Sequence, residues 1–134
     1  MNDQPVKQLI ADRMSQAKET LEEAEALYQE SLWRGTINRA YYAMFYAVLA
    51  LAVMRQRIVS KHSGVIAFFD REFVKEGVFP KDLSRVLHLA FDRRQETDYG
   101  EIFTVSPEEA RQALDDARTF VAKIGNYLKT NIVG

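Results

Sequence analysis

RGTINRAYYAMFYAVLALAVM, residues 34–54, is the stretch that decides the fold of this chain. From residue 40 onward it has no charge and no proline, and its alanine, leucine and methionine residues favour a helix over a strand. One face of that helix carries Ile37, Tyr41, Met44, Val48 and Leu51, and a second carries Arg39, Tyr42, Tyr46, Leu49 and Val53. A helix that is apolar on two faces has to be covered on both. The stretch therefore predicts a central helix, with other helices on one side and a place for a second subunit on the other.

The composition is typical of a soluble domain. The 134 residues predict one domain over residues 1–134, and 47% of them are hydrophobic and 28% charged. The net charge of -1 argues against bulk electrostatic attraction to nucleic acid but permits a local basic cleft. The absence of cysteine excludes disulfides and thiolate catalysis, and two histidines are too few for a histidine-rich metal site, so we expect no metal and no cofactor. No signal peptide or membrane span is recognisable, so we expect a cytoplasmic protein that does not associate with membranes.

The spacing of apolar residues predicts a long helix before the central one. Apolar or small residues recur in steps of three and four over residues 5–32, which is typical of an amphipathic helix. After it, Gly35 can take the left-handed position that ends a helix, and Thr36 can cap the next. We expect the central helix to end near Arg57.

Three further helices are predicted after the central one. The third is predicted over His62–Glu76 and ends at Gly77, and Pro80 suits the first turn of the fourth. Ser106-Pro107-Glu108-Glu109 is typical of a helix start, because the serine caps and the second glutamate closes a capping box. No strand pattern is present, so the sequence predicts an all-α protein, an up-and-down antiparallel bundle of about five helices.

The end of the fourth helix is where chemistry is expected. Its inner face leads to Arg94 in steps of four, three and four, from Leu83 through Leu87 and Ala90. A guanidinium on an apolar face is unfavourable unless it is paired, and Asp98 lies four residues further on. One interpretation is a local ion pair that ends the helix beside Tyr99. The other is a phosphate-binding or catalytic arginine, because its planar fork matches two phosphate oxygens.

Other candidate residues come from separate segments. Asn38 and Arg39 lie at the start of the central helix, where they can face the same cleft as Arg94. Tyr42 lies on the same stripe of that helix as Arg39, and the alternative to a binding role for these residues is simple packing. His62 is the first residue of the third helix and lies on its inner face. It is a candidate for binding a ligand or for acting as a base, and the alternative is a helix cap or a core residue. Arg93 is a second cation beside Arg94, although the helical phase favours Arg94 as the one that faces the cleft.

These segments also resemble a known family. Asn38-Arg39-Ala40-Tyr41-Tyr42-Ala43-Met44-Phe45-Tyr46 is similar to the RAYYAMF signature of the HEPN superfamily (higher eukaryotes and prokaryotes nucleotide-binding). Lys61-His62-Ser63-Gly64-Val65, then Phe73-Val74 and Arg94-Gln95-Glu96-Thr97-Asp98-Tyr99, resemble a small stand-alone prokaryotic subgroup. The similarity extends over roughly residues 8–128, which is nearly the whole chain.

The resemblance implies a helical bundle that forms a homodimer, binds nucleotide or RNA, and pairs with a minimal nucleotidyltransferase (MNT) protein, often in toxin–antitoxin operons. Many HEPN proteins are metal-independent ribonucleases whose motif is arginine, four to six residues, then histidine. Arg94 or Arg93 matches the arginine, but Asp98 and Tyr99 stand where the histidine is expected. In some members a tyrosine after the motif accepts AMP from the nucleotidyltransferase, and Tyr99 is the nearest match to that tyrosine.

Three functional interpretations follow. The first is a dimeric module that binds nucleotide or RNA phosphates and acts as the toxin-like half of a pair with an MNT protein. The second is an active ribonuclease in which Arg94 binds phosphate and Asp98 or Tyr99 replaces the histidine. The third is a non-catalytic helical interaction module in which Arg94 and Asp98 only stabilise the fold.

Overall fold

The computed structural model describes residues 3–99 and 104–131, apart from the side chain of Tyr99. These residues form five α-helices: α1 (Gln4–Gln29), α2 (Trp33–Met54), α3 (His62–Phe69), α4 (Lys81–Tyr99) and α5 (Pro107–Asn131). A π-helical turn, Asp70–Val74, continues α3. Within the two described ranges there is no strand. The prediction of an all-α bundle of about five helices is confirmed.

The helix α2 lies at the centre of the bundle and contacts all four other α-helices. Its inner face is buried from Thr36 to Ala52, and five alanines of that face allow the neighbouring backbones to approach closely. Ile37, Met44 and Leu51 are among its largest fully buried side chains. Full burial of each such side chain contributes about 1.5–3 kcal/mol, so this face supplies much of the stability of the fold.

The second face of α2, which we call the outer stripe, is only half covered. It consists of Tyr42, Phe45, Tyr46, Leu49 and Val53, all of which pack against the core yet keep part of their surface exposed. The helices of one chain therefore cover one face of α2 completely and leave the other incompletely covered.

By length and composition, α2 is the one helix of residues 3–99 and 104–131 that could cross a membrane. An 18-residue window within it has a mean hydropathy of 1.3. However, 56% of that window is buried inside the bundle. The central helix of a soluble bundle has this combination of length, hydropathy and burial, so the window is weak evidence for a membrane span.

The turn between α1 and α2 differs from the prediction. Ser31, not Gly35, takes the left-handed conformation, with φ at 59°, and the Leu32 amide donates to the Leu27 carbonyl at 2.9 Å. Gly35 is helical, and a Cβ there would lie 3.0 Å from Cδ1 of Leu27. Thr36 is buried inside α2 and its hydroxyl donates to the Leu32 carbonyl, so it is not the cap. The glycine serves a close approach between helices rather than a turn.

The ends of the next two helices also depart from the predicted limits. The helix α2 ends at Met54, before Arg57, because Gln56 turns left-handed with φ at 56°. The predicted third helix is α-helical only to Phe69, after which the Lys75 amide donates to the Asp70 carbonyl at 2.8 Å across a π-helical turn. Gly77 has φ at 78°, as expected for the residue that ends this helix.

The start of α5 agrees with the prediction. The Glu109 amide donates to the Ser106 hydroxyl at 3.1 Å, and the Ser106 amide donates to the Glu109 carboxylate at 3.4 Å. This reciprocal pair satisfies two amides that a helix start otherwise leaves without partners. It fixes where α5 begins and how its buried face meets α2.

Candidate functional site

Arg94 is buried in the last two turns of α4, where the helical phase of that element brings it onto the inner face. The residue is only 8% exposed. Its Nη2 donates to the hydroxyl of Tyr42 at 3.0 Å, and its Nε lies 3.0 Å from Oδ2 of Asp98. The guanidinium carbon is 5.9 Å and 5.5 Å from the ring centroids of Tyr41 and Tyr42, within the range of cation–π attraction. A charge with little exposure is thus held by an anion, a hydroxyl and two aromatic rings.

Asp98 connects α4 to the start of α2. The amide nitrogen of Asn38 donates to Oδ2 of Asp98 at 3.1 Å, and the amide oxygen of Asn38 accepts from Nε and Nη2 of Arg39 at 3.0 Å and 2.8 Å. Arg39 also lies 3.6 Å from Glu23 on α1 and stacks over the ring of Tyr42. A continuous polar chain therefore runs from α1 through α2 to α4. The predicted residues Asn38, Arg39, Tyr42, Arg94 and Asp98 meet in it, and we call them the Arg94 cluster.

His62 lies beside this cluster, at the first residue of α3. Its Nδ1 shares a hydrogen bond of 2.7 Å with the hydroxyl of Tyr41, and its ring packs 4.7 Å from that of Phe45. Burial and the nearby positive charge of Arg94 both lower the pKa of His62. Burial raises the pKa of Tyr41, although Arg94 opposes this effect. Both groups are therefore uncharged at neutral pH, and their hydrogen bond links two neutral side chains.

Two predicted residues do not join these contacts. Arg93 is half-buried on α4 and makes none of the hydrogen bonds or ion pairs of the Arg94 cluster within the described ranges. The backbone of Tyr99 ends α4, but its side chain lies outside the described residues, as does Gly100. The geometry thus distinguishes Arg94 from Arg93 and leaves Tyr99 as a prediction from the sequence.

Sequence reasoning missed the role of Tyr41, which it assigned only to the apolar inner face. The signal was present, because a buried tyrosine hydroxyl requires a hydrogen-bond partner and the rest of that face has none to offer. His62 is that partner. Sequence reasoning also missed Arg34, which is exposed and whose Nη1 donates to the carbonyl of Thr97 at 3.2 Å.

Metal-ligating side chains do not converge in the part of the chain that the structure describes. No group of three or more histidine, cysteine, aspartate or glutamate residues that could hold a metal ion occurs within residues 3–99 and 104–131. The chemistry that these residues offer is that of arginine, amide, hydroxyl and imidazole groups.

Comparison with known proteins supplies a family. The model of the HEPN domain matches residues 10–127. A UPF0332 protein of Thermotoga maritima is 38% identical over 84% of this chain and 86% of its own length. A Methanocaldococcus jannaschii protein named "Putative toxin MJ0142" is 33% identical over 86% of this chain and 78% of its own length.

A solved structure supports the same fold. The crystal structure of TT1696 from Thermus thermophilus superposes with a TM-score of 0.74, covering 94% of this chain and 98% of that chain. Its sequence identity is 20%, so this similarity concerns the fold alone. The family model and the curated relatives each extend over most of the sequence, and together they show that this chain belongs to the HEPN-domain family.

Proposed function

We propose that this protein is a homodimeric HEPN module that binds the phosphates of RNA or a nucleotide at the Arg94 cluster, and that it acts as the toxin-like half of a pair with a minimal nucleotidyltransferase. The observation that carries the proposal is the buried Arg94, oriented from two sides by Tyr42 and Asp98. A guanidinium fixed in this way can present its planar fork to phosphate oxygens with little further loss of side-chain freedom.

The surroundings of Arg94 contain further groups that can bind an anion. Arg39 supplies a second positive charge over the ring of Tyr42, and the amide of Asn38 can donate a hydrogen bond. His62 is uncharged at neutral pH and does not oppose the arginine. Asp98 contacts Arg94 directly, so a phosphate would compete with it or share the arginine with it.

The outer stripe of α2 supports the homodimer. Its five half-exposed apolar side chains form a continuous strip along one helix, and a second copy would remove that surface from water. Tyr42 belongs both to this strip and to the Arg94 cluster. Dimerisation through the strip would therefore place the two clusters beside the interface, where one RNA strand can contact both.

The names of two archaeal relatives support the toxin-like role, since two Methanocaldococcus jannaschii proteins are named "Putative toxin MJ0142" and "Putative toxin MJ0605". We propose that the antitoxin is an MNT protein and that Tyr99 accepts AMP from it. The test is co-expression with an adjacent nucleotidyltransferase, followed by intact mass measurement. A mass gain of AMP units that is lost in Tyr99→Phe supports this partnership, whereas an unchanged mass contradicts it.

The test of phosphate binding compares two adjacent arginines. We expect Arg94→Ala to weaken the binding of labelled single-stranded RNA at least about tenfold, because removal of a charged hydrogen bond to phosphate costs about 1.5–3 kcal/mol. Arg93→Ala is the matched control, since it removes the same charge one residue away and outside the cluster. Equal weakening by both variants would mean that only the general charge of this helix matters, and the proposed site would be wrong.

A second candidate function is cleavage of the bound RNA, favoured by the hydrogen bond between Tyr41 and His62 beside Arg94. Attack of a 2′-hydroxyl on phosphorus requires a proton acceptor and stabilisation of charge on the phosphate. With Nδ1 held by Tyr41, His62 can accept the 2′-hydroxyl proton at Nε2. The 2′-oxygen then bonds to phosphorus, and the 5′-oxygen leaves and takes a proton from water.

The cleavage assay uses purified protein and a labelled RNA strand. We expect His62→Gln to slow cleavage at least about a hundredfold, as is typical for loss of a general base, while RNA binding is retained. Arg94→Ala should weaken both binding and cleavage. Cleavage at equal rates by wild type and His62→Gln would exclude His62 from the chemistry, and equal rates for Arg94→Ala would indicate a contaminating nuclease.

A further inference from the structure

An open cleft lies next to the Arg94 cluster, between the turn that joins α1 to α2 and the segment that leads into α5. Its volume is about 420 Å³, and Leu32, Trp33, Arg34 and Val105 are among its lining residues. Cavities of about 300–1,000 Å³ are the usual size for small-molecule sites in proteins. The indole of Trp33 is half-buried and packs on Tyr28, with ring centroids 5.4 Å apart. The cleft thus combines a suitable volume with an aromatic wall.

Two hydrogen bonds connect this cleft to the Arg94 cluster. Arg34 lines the cleft, and its Nη1 donates to the carbonyl of Thr97 at 3.2 Å. The hydroxyl of Thr97 donates in turn to the carbonyl of Arg94 at 3.1 Å. The cleft and the buried arginine therefore meet at the carboxyl end of α4. We infer from this shared location that a short single strand bound at one of them extends to the other.

The residues that line the cleft fit a nucleobase, because they combine an indole ring with hydrogen-bonding groups. Arg34 is the charged residue in the described lining of the cleft, and its guanidinium can donate hydrogen bonds to the acceptor atoms of a base. A nucleobase is uncharged, carries N–H donors and has an apolar face that can stack on an indole. Stacking of bases on aromatic side chains is a main source of affinity in single-strand binding and tolerates different sequences.

We propose that this cleft is a base subsite, in which a ribonucleotide base stacks on Trp33 while the neighbouring phosphate is bound by Arg94. The inference rests on the proposed function, because it requires that Arg94 binds phosphate. It adds a specific recognition element: the protein distinguishes a strand that carries bases from a bare phosphate chain.

Trp33 is the only tryptophan in the chain, so its fluorescence reports directly on the cleft. We would titrate the purified protein with a short oligoadenylate RNA and with an abasic strand that has the same number of phosphates. A parallel titration with AMP separates a free nucleotide from a strand. We expect oligoadenylate to quench the fluorescence and to bind about tenfold more tightly than the abasic strand, which should bind without quenching.

Variants locate the effect at the indole. Trp33→Leu should weaken the binding of labelled oligoadenylate about tenfold and leave the abasic strand unaffected, whereas Trp33→Phe should retain most of the affinity because it keeps an aromatic face. Tyr127→Leu is the matched control, because it removes a half-buried aromatic ring from α5, away from the cleft. Thermal melting of each variant identifies any loss that comes from unfolding.

The outcomes separate the two proposals. If wild type binds both strands equally and its fluorescence does not change, the base subsite is wrong while phosphate binding at Arg94 stands. The same conclusion follows if Trp33→Leu and Tyr127→Leu have identical effects. If neither strand binds, or if Arg94→Ala changes the affinity for neither, the proposed function itself fails and the base subsite fails with it.

Discussion

Separate replacements of Arg94 and Asp98 distinguish a structural ion pair from a phosphate-binding site. Loss of one partner from a fully buried pair destabilises a protein by about 3–5 kcal/mol, whereas a surface pair contributes less than about 1 kcal/mol. The side chains here are 10% and 28% exposed, between those limits. We therefore expect Arg94→Ala to lower the free energy of unfolding by about 2–3 kcal/mol. At roughly 3–5 °C per kcal/mol for a chain of this size, the melting temperature should fall by roughly 6–15 °C.

Asp98→Asn should lower the stability of the protein and raise its affinity for RNA. The variant keeps the shape of the side chain but removes the negative charge that faces Arg94, so we expect it to destabilise the fold by about 1–2 kcal/mol. The same change leaves more positive charge available to a bound phosphate. With about 1 kcal/mol gained from the removed repulsion, RNA affinity should increase about fivefold at low salt and less at high salt. A purely structural pair predicts no change in affinity for either variant.

The assay is a double-mutant cycle in urea, with RNA affinity measured by fluorescence anisotropy on the same four proteins. Because the two side chains touch, the double variant should lose about 1–2 kcal/mol less than the sum of the single losses. Additive losses would show that the contact between Nε and Oδ2 contributes nothing to stability. A weaker RNA affinity in Asp98→Asn than in wild type would refute the electrostatic argument for the site.

Three further predictions follow from the same structure. The pKa of His62 is lower in the folded protein, so the unfolded chain binds the proton more tightly. The contribution of His62 to stability is therefore present above about pH 6.5 and is lost as the pH falls through the folded pKa. His62→Gln should flatten this part of the profile of urea midpoint against pH between about pH 8 and pH 5, and an unchanged profile would contradict the argument. Gly77→Ala should destabilise the protein by about 1–2 kcal/mol, because the φ of Gly77 is 78°. Gly64→Ala should stabilise it by up to about 1 kcal/mol, because Gly64 is helical and the added Cβ would have nothing within 4 Å. Melting temperatures that move in the same direction would refute the backbone argument. Leu49→Glu on the outer stripe should give a monomer by sedimentation with a nearly unchanged fold, and a retained dimer would move the interface elsewhere.

The placement of Arg94 was predictable because it depends only on helical geometry. Once Leu83, Leu87 and Ala90 define the inner face of α4, the period of 3.6 residues fixes which of two adjacent arginines joins it. The pairing of Arg94 with Asp98 is also local, since these residues are four apart in one helix. Features that lie within a single helical segment can be deduced from spacing alone.

The rest of the site depends on contacts between distant segments, which spacing does not determine. Asn38 binds Asp98 across 60 positions of sequence, and Tyr41 meets His62 across 21. The turn between α1 and α2 was mispredicted for a different reason. Glycine serves both left-handed turns and close approaches of helices, and at Gly35 the close approach to Leu27 is its use, while Ser31 adopts the left-handed turn instead.

Tyr41 and Tyr42 explain why the site lies where core and surface meet. Consecutive residues of a helix point about 100° apart, so one tyrosine faces the core and the next faces the outer stripe. Tyr41 is fully buried and holds His62, while Tyr42 is half-exposed and holds Arg94. The helix that supplies most of the core therefore also orients both groups that chemistry at phosphate would need. A second subunit on the outer stripe would lie directly against Tyr42, so the proposed dimerisation and phosphate binding would be energetically coupled.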